Sequence, residues 1–492
     1  MRFRDREVVI AVACIVAVLL AGIASAVVRT TSSSTTAAPR APKSTTSSSP
    51  STTVPTTWDP RVLDIVQFVE RRRGLKFTHP VPMEFLDDAT FDKKVTTSGS
   101  PSVGQQNEMN DTLGTLRAVG LAEGSPDLQA ADNKLASNAI LGLYSPHDKG
   151  VLVRGSNLTV DVRVVLAHEL THALQDQYFG LDRLANDTGS GEDTGFRALV
   201  EADAVRVEDS YVDSLPSADA KAFEATRAKQ AKDADVPDVP EALVDDLAFP
   251  YVFGPAFVAY LDEHGGNDAI NAAFKQPPQS EAQIVDPQSY VAGVTVTKVS
   301  APALNPGQKL VDKAHDVGQV SMLEVLGSRL PFDPAWAALK QWTGDQGLTY
   351  RENGKVCFAG DTALKDSASA DTFENAAKAW AATMPAASVA RVTPTVVDLR
   401  SCDPGPDYKH AVPQPSAFKS LGLRSQLIAD LQQQAKLRYA VATCTADALI
   451  ARVGAAQLLA LDNVTDQNDP RIRQVQQVTR EVLPGCLHST TT

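Results

Sequence analysis

The chain has 492 residues, 43% of them hydrophobic and 21% charged, and a formal net charge of -13. That composition belongs to a folded globular protein, and the acidic balance excludes a nucleic-acid partner, whose phosphates require a basic face. At ~100–200 residues per domain the length calls for two or three folded units.

Residues 1–7 read as a short cytoplasmic tail. Val8 to Val28 carries no charge and is about long enough to cross a ~30 Å hydrocarbon layer as a helix. It reads as a retained single-pass anchor; Ala24-Ser25-Ala26 resembles a small-residue cleavage site and leaves a secreted form open. Basic residues flank both ends (Arg2, Arg4 and Arg6 against Arg29, Arg40 and Lys43), so they do not set the orientation. Residues 29–57 are mostly Ser, Thr, Pro and Ala, cannot bury a core, and read as an extended stalk. Cys357, Cys402, Cys444 and Cys486 form an even set in the C-terminal third, as an oxidising compartment permits. Proximity in sequence pairs Cys357 with Cys402 and Cys444 with Cys486; four buried free thiols in a cytosolic protein are the alternative. An anchor, a stalk and disulfides place the body outside the cytoplasm.

The folded part begins with helical spacing of Val62, Ile65, Val66 and Val69 between Trp58 and Arg73, stopped by Gly74. Short strands are predicted at Val81 to Leu86, around Leu141 to Tyr144, and at Val151 to Arg154, the last two joined in a hairpin across Ser145 to Gly150. After the hairpin, helices are predicted over 161–179, 194–211, 218–234, 250–264 and 268–274, and a proline-rich patch runs from Pro277 to Tyr290. Beyond about residue 330 a helix at 333–342, strands near 348–350 and 356–358, a helix at 370–382, and strands at 389–392 and 395–399 suggest a small α+β module. Ser420 to Leu483 reads as two or three helices.

The helix from Asp161, its expected cap, to Phe179 contains His168-Glu169-Leu170-Thr171-His172, the pattern H-E-x-x-H. At 100° per residue Leu166, Leu170, Ala173 and Leu174 share one side, while His168 and His172 lie one turn apart on the other with Glu169 beside them. Two imidazoles at that spacing can grip one Zn²⁺, which then requires a third protein ligand and a place for water. Glu169 is suited to act as the base that takes a proton from that water. An exposed polar helix face is the bland alternative. The pattern is not that of a metzincin, because the third histidine would fall at Tyr178 and the glycine at Gln175. Downstream, Glu201 and Asp203 stand in an otherwise apolar helix where a carboxylate requires a partner. In an unbroken helix Asp203 projects with Phe196, Leu199, Val200 and Val207, so the residues alone leave both acids open as ligands.

The H-E-x-x-H helix followed by Glu201-Ala202-Asp203-Ala204 resembles the gluzincin metallopeptidases, whose second helix carries Glu-Gly-x-Ala. The chain is similar in particular to bacterial membrane-anchored metallopeptidases, in Gly142-Leu143-Tyr144, His168 to Gln177, Leu199 to Ala204, Tyr251 to Gly254 with Phe257-Val258, Pro277 to Tyr290 and Trp342 to Asp345. It departs from them at Ser280 to Gln283 and at Asp286-Pro287. The resemblance implies that His168, His172 and Glu201 hold zinc and that Glu169 is catalytic. Asp203 then hydrogen-bonds a ligand histidine and fixes its tautomer. It also points to Tyr251 as the donor at the developing oxyanion, with simple helix packing as the alternative, and Val151 to Arg154 becomes the edge strand that pairs with an extended peptide.

The expected fold is α+β: a mainly helical zincin-like metallopeptidase domain with a small edge sheet over 58–300, an α+β module over 330–410 and a helical C-terminal segment over 411–492. The expected function is hydrolysis of peptide bonds in a peptide or protein substrate outside the cytoplasm, with zinc as cofactor. Two rivals stay open: an inactive cell-surface binding or scaffold protein, and a zinc amidase acting on cell-wall amides.

Overall fold

The computed structural model describes residues 55–96, 101–131, 133, 141–186, 191–233, 239–413, 415–461 and 469–489. The expected tail and anchor, and all of the expected stalk but residues 55–57, lie outside the described residues. The architecture is α+β, as expected.

Helix α1 (Leu63–Arg73) follows a short 3-10 turn capped by Asp59 and ends on Gly74 in the left-handed region. Its buried Ile65, Val66 and Val69 lie on one face, as helical periodicity requires, and share a core with Leu166, Leu170, Ala173 and Leu174. Strand β1 (Met83–Leu86), helices α2 (Asp88–Val95) and α3 (Val103–Ala118), and strands β2 (Gly142–Ser145) and β3 (Gly150–Arg154) precede the motif helix α4 (Val160–Phe179). Thr159, not Asp161, caps α4 by accepting the Val162 N–H, while Asp161 lies in the first turn, where its charge favours the helix dipole.

The first sheet has the order β1-β3-β2, with β1 parallel and β2 antiparallel to β3. Val151–Arg154 is therefore central, which corrects its reading as the edge strand. A hairpin is a local pattern, but a parallel partner arrives through a long connection, so β1 was not foreseeable as the strand covering that side. The edge beside α4 is β2.

Helices α5 (Gly191–Ser214), α6 (Ser217–Asp233) and α7 (Glu241–Lys275) come next. The two helices expected at 250–264 and 268–274 are one run bent at Gly265 and Gly266. Although α7 is long and apolar enough to cross a membrane, 72% of its apolar window is buried inside the protein, so it serves as a core helix. It packs closely on α5 because Gly254 has no side chain: a Cβ there would meet the Ala202 Cβ at 2.7 Å and the Ala198 carbonyl at 2.8 Å.

Short helices α8 (Glu281–Val285) and α9 (Pro287–Val291) lead to β4 (Lys309–His315), α10 (Gln319–Gly327), α11 (Phe332–Leu339), β5 (Trp342–Glu352), β6 (Lys355–Leu364), α12 (Ser367–Ala381), β7 (Ala387–Thr393) and β8 (Val396–Cys402). The five strands form an antiparallel sheet of order β4-β5-β6-β8-β7. Helices α13 (Ala417–Gln433), α14 (Tyr439–Val453), α15 (Ala455–Leu459) and α16 (Pro470–Ser489) complete the chain. Disulfides join Cys357 to Cys402, register partners on β6 and β8, and Cys444 on α14 to Cys486 on α16, both as expected. One core runs from Leu199 and Phe257 through Leu326, Trp380 and Leu399 to Leu427, so α5 and α7 are braced by the second sheet and the C-terminal helices.

Two buried carboxyls tie this second half together. Glu281 accepts the N–H groups of Val320 and Ser321 at the start of α10, and Asp345 accepts those of Val317 and Gly318 and the Trp342 indole N–H. Burial outweighs those bonds and pushes Glu281 up to about 7 and Asp345 up to about 6.

Two outcomes follow from this packing. Gly254→Ala is expected to destabilise the protein by ~1–3 kcal/mol through overpacking between α5 and α7, read as a lower denaturation midpoint. Because Glu281 and Asp345 hold protons more tightly folded than unfolded, their contribution is full below about pH 4 and is lost as pH rises through 6 to 7. Thermal melts at pH 5 and pH 8 should differ less in Glu281→Gln than in the parent, and an unchanged difference would contradict the assignment.

Candidate metal centre

Helix α4 is buried from Val162 to Asp176 except at Arg163 and Val165. Its leucine stripe faces the core shared with α1, as expected, and the opposite side carries His168 and His172 one turn apart, with ring centroids 4.7 Å from each other. Helix α5 lies along that side. The Glu201 Oε2 stands 3.4 Å from the Nε2 of His168 and 3.4 Å from that of His172, and the three ligand atoms all fall within 4.8 Å of one another. The group can hold a metal ion. Apart from it, only Glu352 with Cys357 and Cys402 is similarly clustered among the described residues, and those two sulfurs are spent on a disulfide.

The outer nitrogens explain why the inner ones converge. His168 Nδ1 lies 2.9 Å from Glu208 Oε2, and His172 Nδ1 lies 3.0 Å from Gln175 Oε1. The Gln175 amide donates to the Val200 carbonyl and to Asp203 Oδ2, which only accept, so its oxygen must face His172. A carboxylate and an amide oxygen both require a proton on Nδ1, so in the neutral ring Nε2 is the nitrogen left to ligate, and each Nε2 faces Glu201. Neither Nε2 has a hydrogen-bond partner, nor has Glu169 Oε1, and all three atoms are buried. Orphaned polar atoms of this kind are costly unless something polar or charged sits between them.

Glu169 is fully buried, with its other oxygen accepting the Tyr144 N–H of β2 at 2.7 Å. Tyr251, on α7, donates its hydroxyl to Glu201 Oε2 at 2.8 Å, so the structure brings together His168, Glu169, His172, Glu201 and Tyr251. Asp203 is elsewhere. It pairs with Arg73 at 2.8 Å and Arg206 at 3.0 Å and reaches His172 only through Gln175, which corrects its expected role as a direct partner of a histidine. It projects inward as its helical position demands, toward two guanidinium groups.

Charge in the cluster is strongly coupled. Burial acts to strip the proton from His168, but the carboxylates of Glu201 and Glu208 overcome it and push the imidazole up to about 10; His172 is raised in the same way by Glu201. Burial pushes Glu169 up, whereas the two imidazoles hold Glu201 well below the usual carboxylate range despite its burial.

Sequence reasoning missed Glu208 and Gln175. Glu208 lies seven positions after Glu201 on α5, hence on the same helix face, and that spacing was the available signal. A cavity of about 510 Å³ lined in part by Glu123, Asp245, Glu324 and His410 lies apart from the motif and shares no residue with it. Comparison of the chain with protein-family models, with curated proteins and with solved structures finds no match in any of the three.

Removing Asp203 separates its role from that of Glu201. Asp203→Ala leaves Arg73 and Arg206 buried without their shared anion and is expected to cost ~3–5 kcal/mol, measured by urea unfolding, while metal binding per folded molecule persists. Loss of metal without loss of stability would assign Asp203 to the ion.

Proposed function

We propose that the protein is a zinc-dependent metallopeptidase whose body lies outside the cytoplasm, resembling gluzincins in the arrangement of its site. The observation that carries this reading is the pair of 3.4 Å distances from Glu201 Oε2 to two buried, unpartnered Nε2 atoms. A tetrahedron with bonds of ~2.0–2.1 Å has edges of ~3.3–3.4 Å. Two imidazole nitrogens and one carboxylate oxygen are also the donors that zinc favours in sites retaining a place for water. Both disulfides fit an oxidising compartment.

His168, His172 and Glu201 would hold the zinc, which when bound polarises a carbonyl and makes water a better nucleophile near neutral pH. Glu169 would take the proton of the attacking water, a role supported by its two oxygens: Oε2 accepts the Tyr144 N–H, while Oε1 is free of hydrogen bonds. Tyr251 offers a hydroxyl beside Glu201, where negative charge on the carbonyl oxygen would develop. An extended peptide would pair along β2, whose outer edge runs beside α4.

One observation favours a second reading. His168, Glu169, His172 and Glu201 are each no more than 5% exposed, as in a metal that braces an inactive scaffold. Glu169 discriminates the two, since a purely structural ion has no use for a buried carboxylate oxygen without a partner. The parent is expected to bind about one equivalent of zinc and to cleave an unstructured protein substrate. Glu169→Gln should keep the zinc and lose ~10²–10⁴-fold in rate. Zinc with no cleavage by the parent would support the scaffold, and no zinc would remove both readings.

A further inference from the structure

Behind His168 the charge extends one step further. Glu208 accepts from His168 Nδ1 with one oxygen and with the other lies 3.6 Å from Nη1 of Arg227 on α6. Both side chains are more than nine-tenths buried, and Arg227 sits 5.4 Å from the centroid of the Phe223 ring, itself part of the core beneath α4. A buried charge cluster is tolerable only when its members nearly cancel. The carboxyl groups of Glu201 and Glu208 flank His168, and the Arg227 guanidinium faces Glu208 from the side away from the histidine. The other buried network nearby, Asp203 with Arg73 and Arg206, reaches the histidines only through the neutral Gln175 amide.

We infer that Arg227, acting through Glu208, offsets the negative charge behind His168 and so tunes how tightly the centre holds a divalent cation; this rests on the metal reading of the site. Glu208 and Arg227 are positioning residues that touch neither ion nor substrate. Their charges act in opposite directions on a cation, whereas two merely structural supports would act in the same direction.

The test is Zn²⁺ affinity of the full chain in mild detergent, measured at fixed ionic strength by competition with a chromophoric chelator, with circular dichroism to confirm folding. Glu208→Gln keeps an acceptor for His168 Nδ1 but loses the charge, and should weaken Zn²⁺ binding ~10–100-fold. Arg227→Gln keeps a donor for Glu208 but removes the opposing charge, and should tighten binding about tenfold or more. The double variant restores the net charge and should return close to the parent, and Arg227→Lys should match the parent without any second change. Weaker or unchanged binding in Arg227→Gln overturns the inference, as does an Arg227→Lys variant that departs from the parent. If Arg227→Gln does not fold, the Arg227→Lys and double-variant affinities decide alone. A parent that binds no zinc fails the metal reading itself, a result distinct from a parent that binds zinc with both variants shifted the same way.

Discussion

Glu201 Oε2 stands equally far from two imidazole nitrogens, and the packing of α4 against α5 is arranged around that meeting. Leucine and alanine on the far side of α4 fix its rotation against α1, because a turn about its axis would expose them. Close approach of α7 at Gly254 fixes the depth of α5 and brings the Tyr251 hydroxyl to the same carboxylate. The apolar packing is therefore what holds three costly polar side chains within reach of one point; no hydrogen bond joins His168 Nε2 or His172 Nε2 to anything else.

Helix α5 carries two ion networks that face different ways. Glu201 and Glu208 are seven positions apart, on one face, and serve the two histidines. Asp203 lies about 200° round the helix from Glu201 and binds Arg73 of α1 and Arg206, which extends to Asp262 of α7. Gln175 links the two, holding His172 with its oxygen and Asp203 with its nitrogen. The consequence is a division of labour: one network gathers three ligand atoms and the other locks three helices together, while a single neutral amide links them.

Much of this was legible in the sequence, for reasons that differ residue by residue. The motif helix, the leucine stripe and the convergence of His168 with His172 follow from helical periodicity alone, and the two disulfides followed from spacing. The choice between Glu201 and Asp203 did not: periodicity correctly marks Asp203 as the inward acid, but its partners Arg73 and Arg206 are set by tertiary packing. Strands β5 and β6 are longer than their patterns, since Gly344, Gly347 and Gly360 and the buried polar Asp345 and Asp361 break the apolar alternation. The bend at Gly265 and Gly266 was read as a gap between helices, a natural consequence of two adjacent glycines.

Strand β2 connects the site to whatever lies along its edge. In an antiparallel pair alternate residues turn their N–H and C=O groups away from the partner strand, and the Tyr144 N–H is one that does so, reaching Glu169 instead. Gly142, two residues earlier, permits that approach: a Cβ there would meet Val165 Cγ1 at 2.8 Å and Glu169 Cγ at 3.3 Å. The strand is thus pressed onto α4 at the carboxylate itself. Any chain that paired with the outer edge of β2 would share that edge with the hydrogen bond fixing Glu169, so in the proposed reaction docking of a peptide and orientation of the base are one mechanical event rather than two.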